Sequence, residues 1–400
     1  MTRGVAPWLP VLLGVSLVLG GCGGTPDDDA RDPSTTTAPS AEPSVDSQAH
    51  DGHGGDGAEP ASTPLREGER FARLAMPAPY SPSAPNGTGT DDYRCFLLDP
   101  ELAEDAFITG FDVQPGTPDT VHHVIMFRVP PELVSQAEAA DKATPGEGWT
   151  CFGDAGIPAA SGSVDDVPWL GAWAPGGGER VLADDLGTPV EAGSQVVMQV
   201  HYNLLAGTGP DVTAARLRLA SADKDLAPLQ TMLLPAPVEL PCRPRHSDGK
   251  LCDRDAAVDD VIARFGPSGN TANGLHMFCG SQPVGPEQHC DTTIERPATL
   301  RAVAGHMHLL GRSLTIDVNP GTRREQRVLD IPVWNFDDQG AVSVDPLRLR
   351  RGDTVRVTCT HDQSLRDQLP AFEGQEERYV VWGEGTTDEM CLGMLLVTRP

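Results

Sequence analysis

Two histidines one residue apart, in Gly305-His306-Met307-His308-Leu309-Leu310-Gly311-Arg312, have a spacing suited to chelation. In an extended strand, residues i and i+2 point to one face. His306 and His308 would then stand side by side and grip one metal ion. The competing reading is a histidine pair on a solvated face. Residues 302–305 and 309–310 are small or apolar and favour burial, and two buried imidazoles need a partner. A second pair, His122 and His123, is adjacent within Thr120-Val121-His122-His123-Val124-Ile125-Met126-Phe127. Neighbouring strand residues face opposite ways, so a shared ion requires a strand end, a bend or a bulge. His201, in Gln199-Val200-His201-Tyr202, reads by itself as a satisfied core histidine. Met390, in Asp388-Glu389-Met390-Cys391, reads by itself as a core methionine.

The segments that must position these residues read as strands. Short apolar or alternating runs recur between turn clusters at residues 106–113, 121–129, 195–204, 214–219, 300–308, 314–318, 353–359 and 391–397. Glycine (43) and proline (37) are abundant, which favours a turn-rich chain. Helical patterns are confined to residues 131–142 and 254–264 and look like surface excursions. Many short strands without alternating helices predict an all-β fold of two tandem antiparallel β-sandwich, jelly-roll-like domains with a cleft between them. The polar stretch 221–228 marks the join, giving domains at 70–224 and 225–400.

Cysteines constrain the fold further. The folded part holds Cys95, Cys151, Cys242, Cys252, Cys279, Cys290, Cys359 and Cys391, an even set that reads as disulfides in an exported chain. None forms a C-x-x-C pair, so a structural zinc site is not expected. Residues 241–295 carry four of the cysteines, many turn residues and little periodicity, and read as an insertion held by disulfides. Three connectivities are open for those four. Cys242–Cys252 with Cys279–Cys290 is one of them.

Residues 1–21 have the apolar, uncharged core of a signal peptide. The stretch Leu19-Gly20-Gly21-Cys22 resembles the lipobox of bacterial lipoproteins, which implies lipidation of Cys22. A plain secreted chain, with Cys22 a chance cysteine, is the alternative. Residues 22–69 form an acidic Ser/Thr/Pro/Gly linker without bulk to bury, expected to be a disordered tether. The expected location is the bacterial cell envelope, at the membrane surface through a lipid anchor, without spanning. A net charge of −27 argues against nucleic acid and anionic membrane as partners.

The histidine blocks, taken in order, resemble the copper type II, ascorbate-dependent monooxygenases, the family of peptidylglycine α-hydroxylating monooxygenase and dopamine β-monooxygenase. Residues 107–113 leading to 121–127 resemble its first histidine block, and residues 170–176 leading to 199–202 its second. Residues 306–312 resemble the third and residues 388–391 the fourth. The resemblance spans about residues 90–397, outside 241–295. It implies an electron-transfer copper on His122, His123 and His201, and a catalytic copper on His306, His308 and Met390, with Met394 as a rival ligand. A thioether is a soft ligand that favours Cu(I). The resemblance also implies a Cys359–Cys391 disulfide and a solvent-filled cleft separating the coppers. The implied reaction is hydroxylation of a C–H bond of a small organic substrate with O2 and an external reductant such as ascorbate, in a monomer.

The departures from the family pattern are informative. Peptide-amidating members have an arginine where this chain has Ala304, and an asparagine and a tyrosine where it has Leu392 and Met394. A pocket walled by Ala304, Leu392 and Met394 argues against peptide amidation and for a less charged substrate. The cysteine that follows the first block in animal members is replaced by the run Phe127-Arg128-Val129. The alternative function is a non-catalytic copper-binding surface lipoprotein.

Overall fold

The structure is a computed structural model, and it describes residues 63–85, 89–157, 168–175 and 177–399. The signal sequence, Cys22 and the linker up to residue 62 lie outside the described residues. Residues 63–69 do not behave as the expected tether. Arg218 is fully buried, and its guanidinium donates to the carbonyls of Thr63 and Pro64 (2.8 and 2.7 Å) and pairs with Glu69 and Glu179. A buried guanidinium needs acceptors, and this stretch of backbone supplies two of them.

The strands follow the alternation of the sequence. We number them β1 (Arg70–Ala75), β2 (Asp91–Leu98), β3 (Ala106–Gln114), β4 (Val121–Val129), β5 (Trp169–Trp173), β6 (Leu186–Val190), β7 (Gln195–Asn203) and β8 (Ala214–Ser221). The second half continues with β9 (Ala227–Pro235), β10 (Glu287–Thr293), β11 (Ala298–His306), β12 (Gly311–Val318), β13 (Gln326–Ile331), β14 (Val342–Leu349), β15 (Thr354–His361) and β16 (Leu392–Thr398). In the first half, β1, β8, β3 and β6 face a sheet that includes β2, β7, β4 and β5. Their inward side chains, among them Leu74, Ile108, Leu217, Phe96, Val124 and Met198, form one core. In the second half, β9, β16, β11 and β14 face β10, β15, β12 and β13 across a core that includes Leu234, Leu300, Leu395, Ile316 and Val357. The all-β sandwich fold is therefore present.

One feature is absent from the sequence reading. β6 and β9 pair in parallel, Ala227 with Leu186 and Pro228 with Gly187, so a single nine-stranded sheet runs through both halves.

Residues 241–295 are more ordered than their weak periodicity suggested. After a first helix α1 (Val134–Ala143), the helices α2 (Arg254–Phe265) and α3 (Thr271–Cys279) fall within this stretch. Its last part is β10, a ladder strand of the second sandwich. Asp253 caps α2 by accepting from the Ala256 N–H. Val258, Val261, Phe265, Ala272 and Leu275 bury against Tyr379, Trp382, Met390 and Leu392. The short apolar stripe of α3 was too brief to stand out in the sequence. The four disulfides are Cys95–Cys151, Cys242–Cys252, Cys279–Cys290 and Cys359–Cys391. Among the described residues no helix is long and apolar enough to cross a membrane.

Candidate metal centre

His122 and His123 lie near the start of β4, and His201 lies near the end of β7. In the β4–β7 ladder Val121 faces Tyr202 and His123 faces His201, with a bulge at His122. The extra residue breaks the in–out alternation, and two neighbouring imidazoles can then turn to one point. The three Nδ1 atoms lie 3.1, 3.1 and 3.2 Å from one another.

The protons on these rings follow from their other partners. His201 Nε2 lies 2.9 Å from Asp91 Oδ1. Burial favours the neutral acid at Asp91, but bonds from His201 and Thr386 outweigh it and hold the carboxyl well below the usual range. Asp91 is thus an acceptor, and Nε2 of His201 is the donor that faces it, which directs Nδ1 at the other two rings. Burial, followed by the neighbouring imidazoles, holds His122 and His123 well below the ordinary histidine value, so both are neutral. His122 Nε2 is buried without a partner. Three ring nitrogens in mutual contact cannot all donate to one another. A cation among them would satisfy all three, and the donor set fits a metal ion. Two aromatic rings brace the triad. Tyr93 stacks on His201 (centroids 4.0 Å apart), and Phe336 from the second sandwich lies on His122 (4.4 Å).

The second histidine pair meets by a different route from the one expected. β11 ends at His306, and His308 lies beyond it. The pair therefore straddles the end of the strand instead of lying within it. The two rings stand side by side, with centroids 5.1 Å apart, and a turn closed by the Gly311 N–H on the His308 carbonyl follows directly. Glu389 makes that turn. Its fully buried carboxylate accepts the N–H of His308 (2.9 Å) and of Leu310 (2.5 Å) and lies 3.4 Å from His361. Trp334 Nε1 donates to the His308 carbonyl. The residue before Met390 thus fixes the backbone of His308.

His306 Nδ1 donates to Gln339 Oε1 at 2.5 Å, which leaves Nε2 bare. His308 Nδ1 is buried without a partner. Burial, then the proximity of His308, lowers His306 to about 3, and burial lowers His308 as well.

His306, His308 and Met390 line one cavity of about 330 Å³ between the sandwiches, which His123 also lines. The His123 and His306 rings are 6.1 Å apart. Both histidine sets border this one cavity between the sandwiches. Leu392 and Met394 line the cavity together with Tyr93, Phe152, Trp169, Trp173, Leu233 and Trp382. Ala304 does not. It is buried and pairs with Met394 across the β11–β16 ladder.

Other residues of the centre carried no signal in the sequence. Asp91, Tyr93, Gln339 and Phe336 reach the histidines only through long-range contacts. Glu384 and Asp154 put two carboxyl groups into the cavity wall. Burial, then Asp388 and Asp154, raises Glu384 to about 8, and burial raises Asp154. Glu389 sits inside a block that was recognised, yet nothing in its spacing disclosed its hold on His308.

No family model matches the chain. Among solved structures, it is similar to a fucolectin from striped bass serum (Morone saxatilis), with 9% identity, 83% of this chain and 97% of the lectin covered, and a TM-score of 0.20. It is also similar to the major capsid protein P2 of bacteriophage PM2 (9%, 82% and 97%, TM-score 0.27) and to an allantoicase (10%, 73% and 86%, TM-score 0.18). At these scores the likenesses carry no argument about function.

Proposed function

We propose that this chain is a copper-dependent monooxygenase that hydroxylates a C–H bond of an apolar small organic molecule, using O2 and an external reductant such as ascorbate. The observation that carries this reading is the convergence of three Nδ1 atoms from His122, His123 and His201, set against His306, His308 and Met390 in one apolar cavity. The first set would hold an electron-transfer copper and the second a catalytic copper, the Met390 thioether favouring Cu(I). When bound, copper supplies the redox chemistry that activates O2.

The chain supplies the rest. Asp91 and Gln339 fix which nitrogen of His201 and His306 is bare. Glu389 holds His308 in place. Leu392, Met394 and the aromatic walls exclude water and receive an apolar substrate. Glu384, with a pKa of about 8, is mostly protonated at neutral pH and offers a donor to a polar substrate atom. Among the described residues neither Arg nor Lys lines the cavity, which fits a substrate other than a peptide carboxylate. Lipidation at Cys22 and attachment to the bacterial envelope belong to the same proposal.

The test is copper loading of the full chain, with measurement of bound copper and ascorbate-dependent O2 uptake across apolar candidate substrates. Two coppers and substrate-coupled uptake are expected. One copper or none overturns the two-site reading. Two coppers with no coupled uptake on any substrate favours the copper-binding lipoprotein instead.

A further inference from the structure

Asp91 belongs to β2 of the first sandwich, yet half of its partners lie in the second. Its Oδ1 is met by His201 Nε2 (2.9 Å), by the Thr386 N–H (3.1 Å) and by the Thr386 hydroxyl (2.5 Å). The Thr90 hydroxyl donates to Oδ2. Two residues along β2, Tyr93 stacks on His201 and donates its hydroxyl to the Glu384 carbonyl at 2.5 Å. Glu384 and Thr386 belong to the segment that ends at Met390. That segment is drawn into a tight turn, with Gly383 N–H on the Glu389 carbonyl and Asp388 N–H on the Gly385 carbonyl. The bonds to His201, Thr386 and Glu384 are buried. Two adjacent positions on one face of β2 therefore touch both a first-set histidine and the loop carrying Met390.

We propose that Asp91 is a positioning residue shared by both histidine sets, so that the Met390 loop, through Thr386, tunes metal affinity at His122, His123 and His201. The inference rests on the copper reading above. Its physical basis is that one carboxylate oxygen answers three donors. Removing the Thr386 hydroxyl takes away the shortest of these bonds, leaves the loop only its N–H on Asp91 and relaxes the hold of Asp91 on the His201 ring. Loss of a partner that orients a metal-ligating histidine costs roughly 10–100-fold in metal affinity. Coupling between sites is reciprocal, so metal in the first set also holds the loop.

The experiment measures Cu(II) affinity by chelator competition in the full chain carrying His306→Gln, which weakens the second set and leaves the first to report. This parent is expected to bind one copper tightly. Thr386→Val, which touches no histidine, is expected to weaken that binding about tenfold, whereas Thr386→Ser retains it. Asp91→Asn is expected to weaken it at least as much. Asp91→Asn combined with Thr386→Val should be no weaker than Asp91→Asn alone, because both remove the same link. Circular dichroism checks each fold, and Thr386→Ala replaces the valine variant if valine is not accommodated. Unchanged affinity in Thr386→Val, or losses that simply add, overturns the proposal while the one-copper parent upholds the copper reading. A parent that binds no copper overturns both.

Discussion

His306 stays neutral in the folded, metal-free protein until the pH falls to about 3, whereas an unfolded histidine takes its proton near 6.5. Between those values the unfolded chain binds a proton that the folded chain refuses, so stability falls as pH is lowered through that window. His122, His123 and His308 are depressed in the same direction and add to the slope. Glu384 has the opposite sign. Its ordinary value is 4.5 and its folded value about 8, so its contribution is full below 4.5 and is lost as pH rises towards 8. Melting of the metal-free protein should therefore show an acid-side decline from the histidines and an alkaline-side decline from Glu384. Glu384→Gln should remove only the latter, and an unchanged alkaline slope would refute the assignment. Leu392 and Met394 give a sharper functional readout. Replacing either with aspartate places an unanswered charge in the apolar wall. Copper should remain bound while turnover collapses by more than tenfold, measured as ascorbate-dependent substrate oxidation. Unchanged turnover would move the substrate elsewhere.

At the scale of elements, three devices hold the ligands: the bulge in β4, the turn after β11 and the helical segment around α2. Arg264 of α2 forks onto Asp388 with bonds of 2.8 and 2.6 Å, two residues before Met390. Asp388 is almost fully buried, and without Arg264 its nearest remaining cation is Arg378 at 3.8 Å. Arg264→Ala should destabilise the protein by about 3–5 kcal/mol, the usual cost of stranding a buried charge, visible as a lower melting temperature. On the other side of Met390, Cys391 is tied to Cys359 in β15. Replacing both cysteines with alanine should cost about 2–4 kcal/mol, read in denaturant titrations under oxidising conditions. These devices differ in how visible they were. That His122 and His123 can share an ion only at a strand end, a bend or a bulge followed from strand geometry alone. The turn at His308 did not, because the run 300–308 alternates well enough to pass for strand to its end. The bond that bends it comes from Glu389, 81 residues away.

For the molecule as a whole, the sandwich class was legible because strand periodicity is local and repeats along the chain. The segments around 106, 121, 195, 214, 314, 354 and 392 all became ladder strands close to their expected bounds. What could not be read locally was how the halves meet. The closeness of His123 and His306, the contact of Asp91 with Thr386 and the parallel pairing of β6 with β9 each join residues distant in sequence. The last of these has a thermodynamic consequence. Two cores of this size would ordinarily melt as two domains, each with its own transition. Here one half cannot unravel without stripping hydrogen bonds from a sheet edge that the other half relies on, and without exposing the buried partners of Asp91. Heating should therefore give a single calorimetric peak whose van't Hoff and calorimetric enthalpies agree, and two resolved peaks would mean that the halves are thermodynamically independent despite their shared sheet.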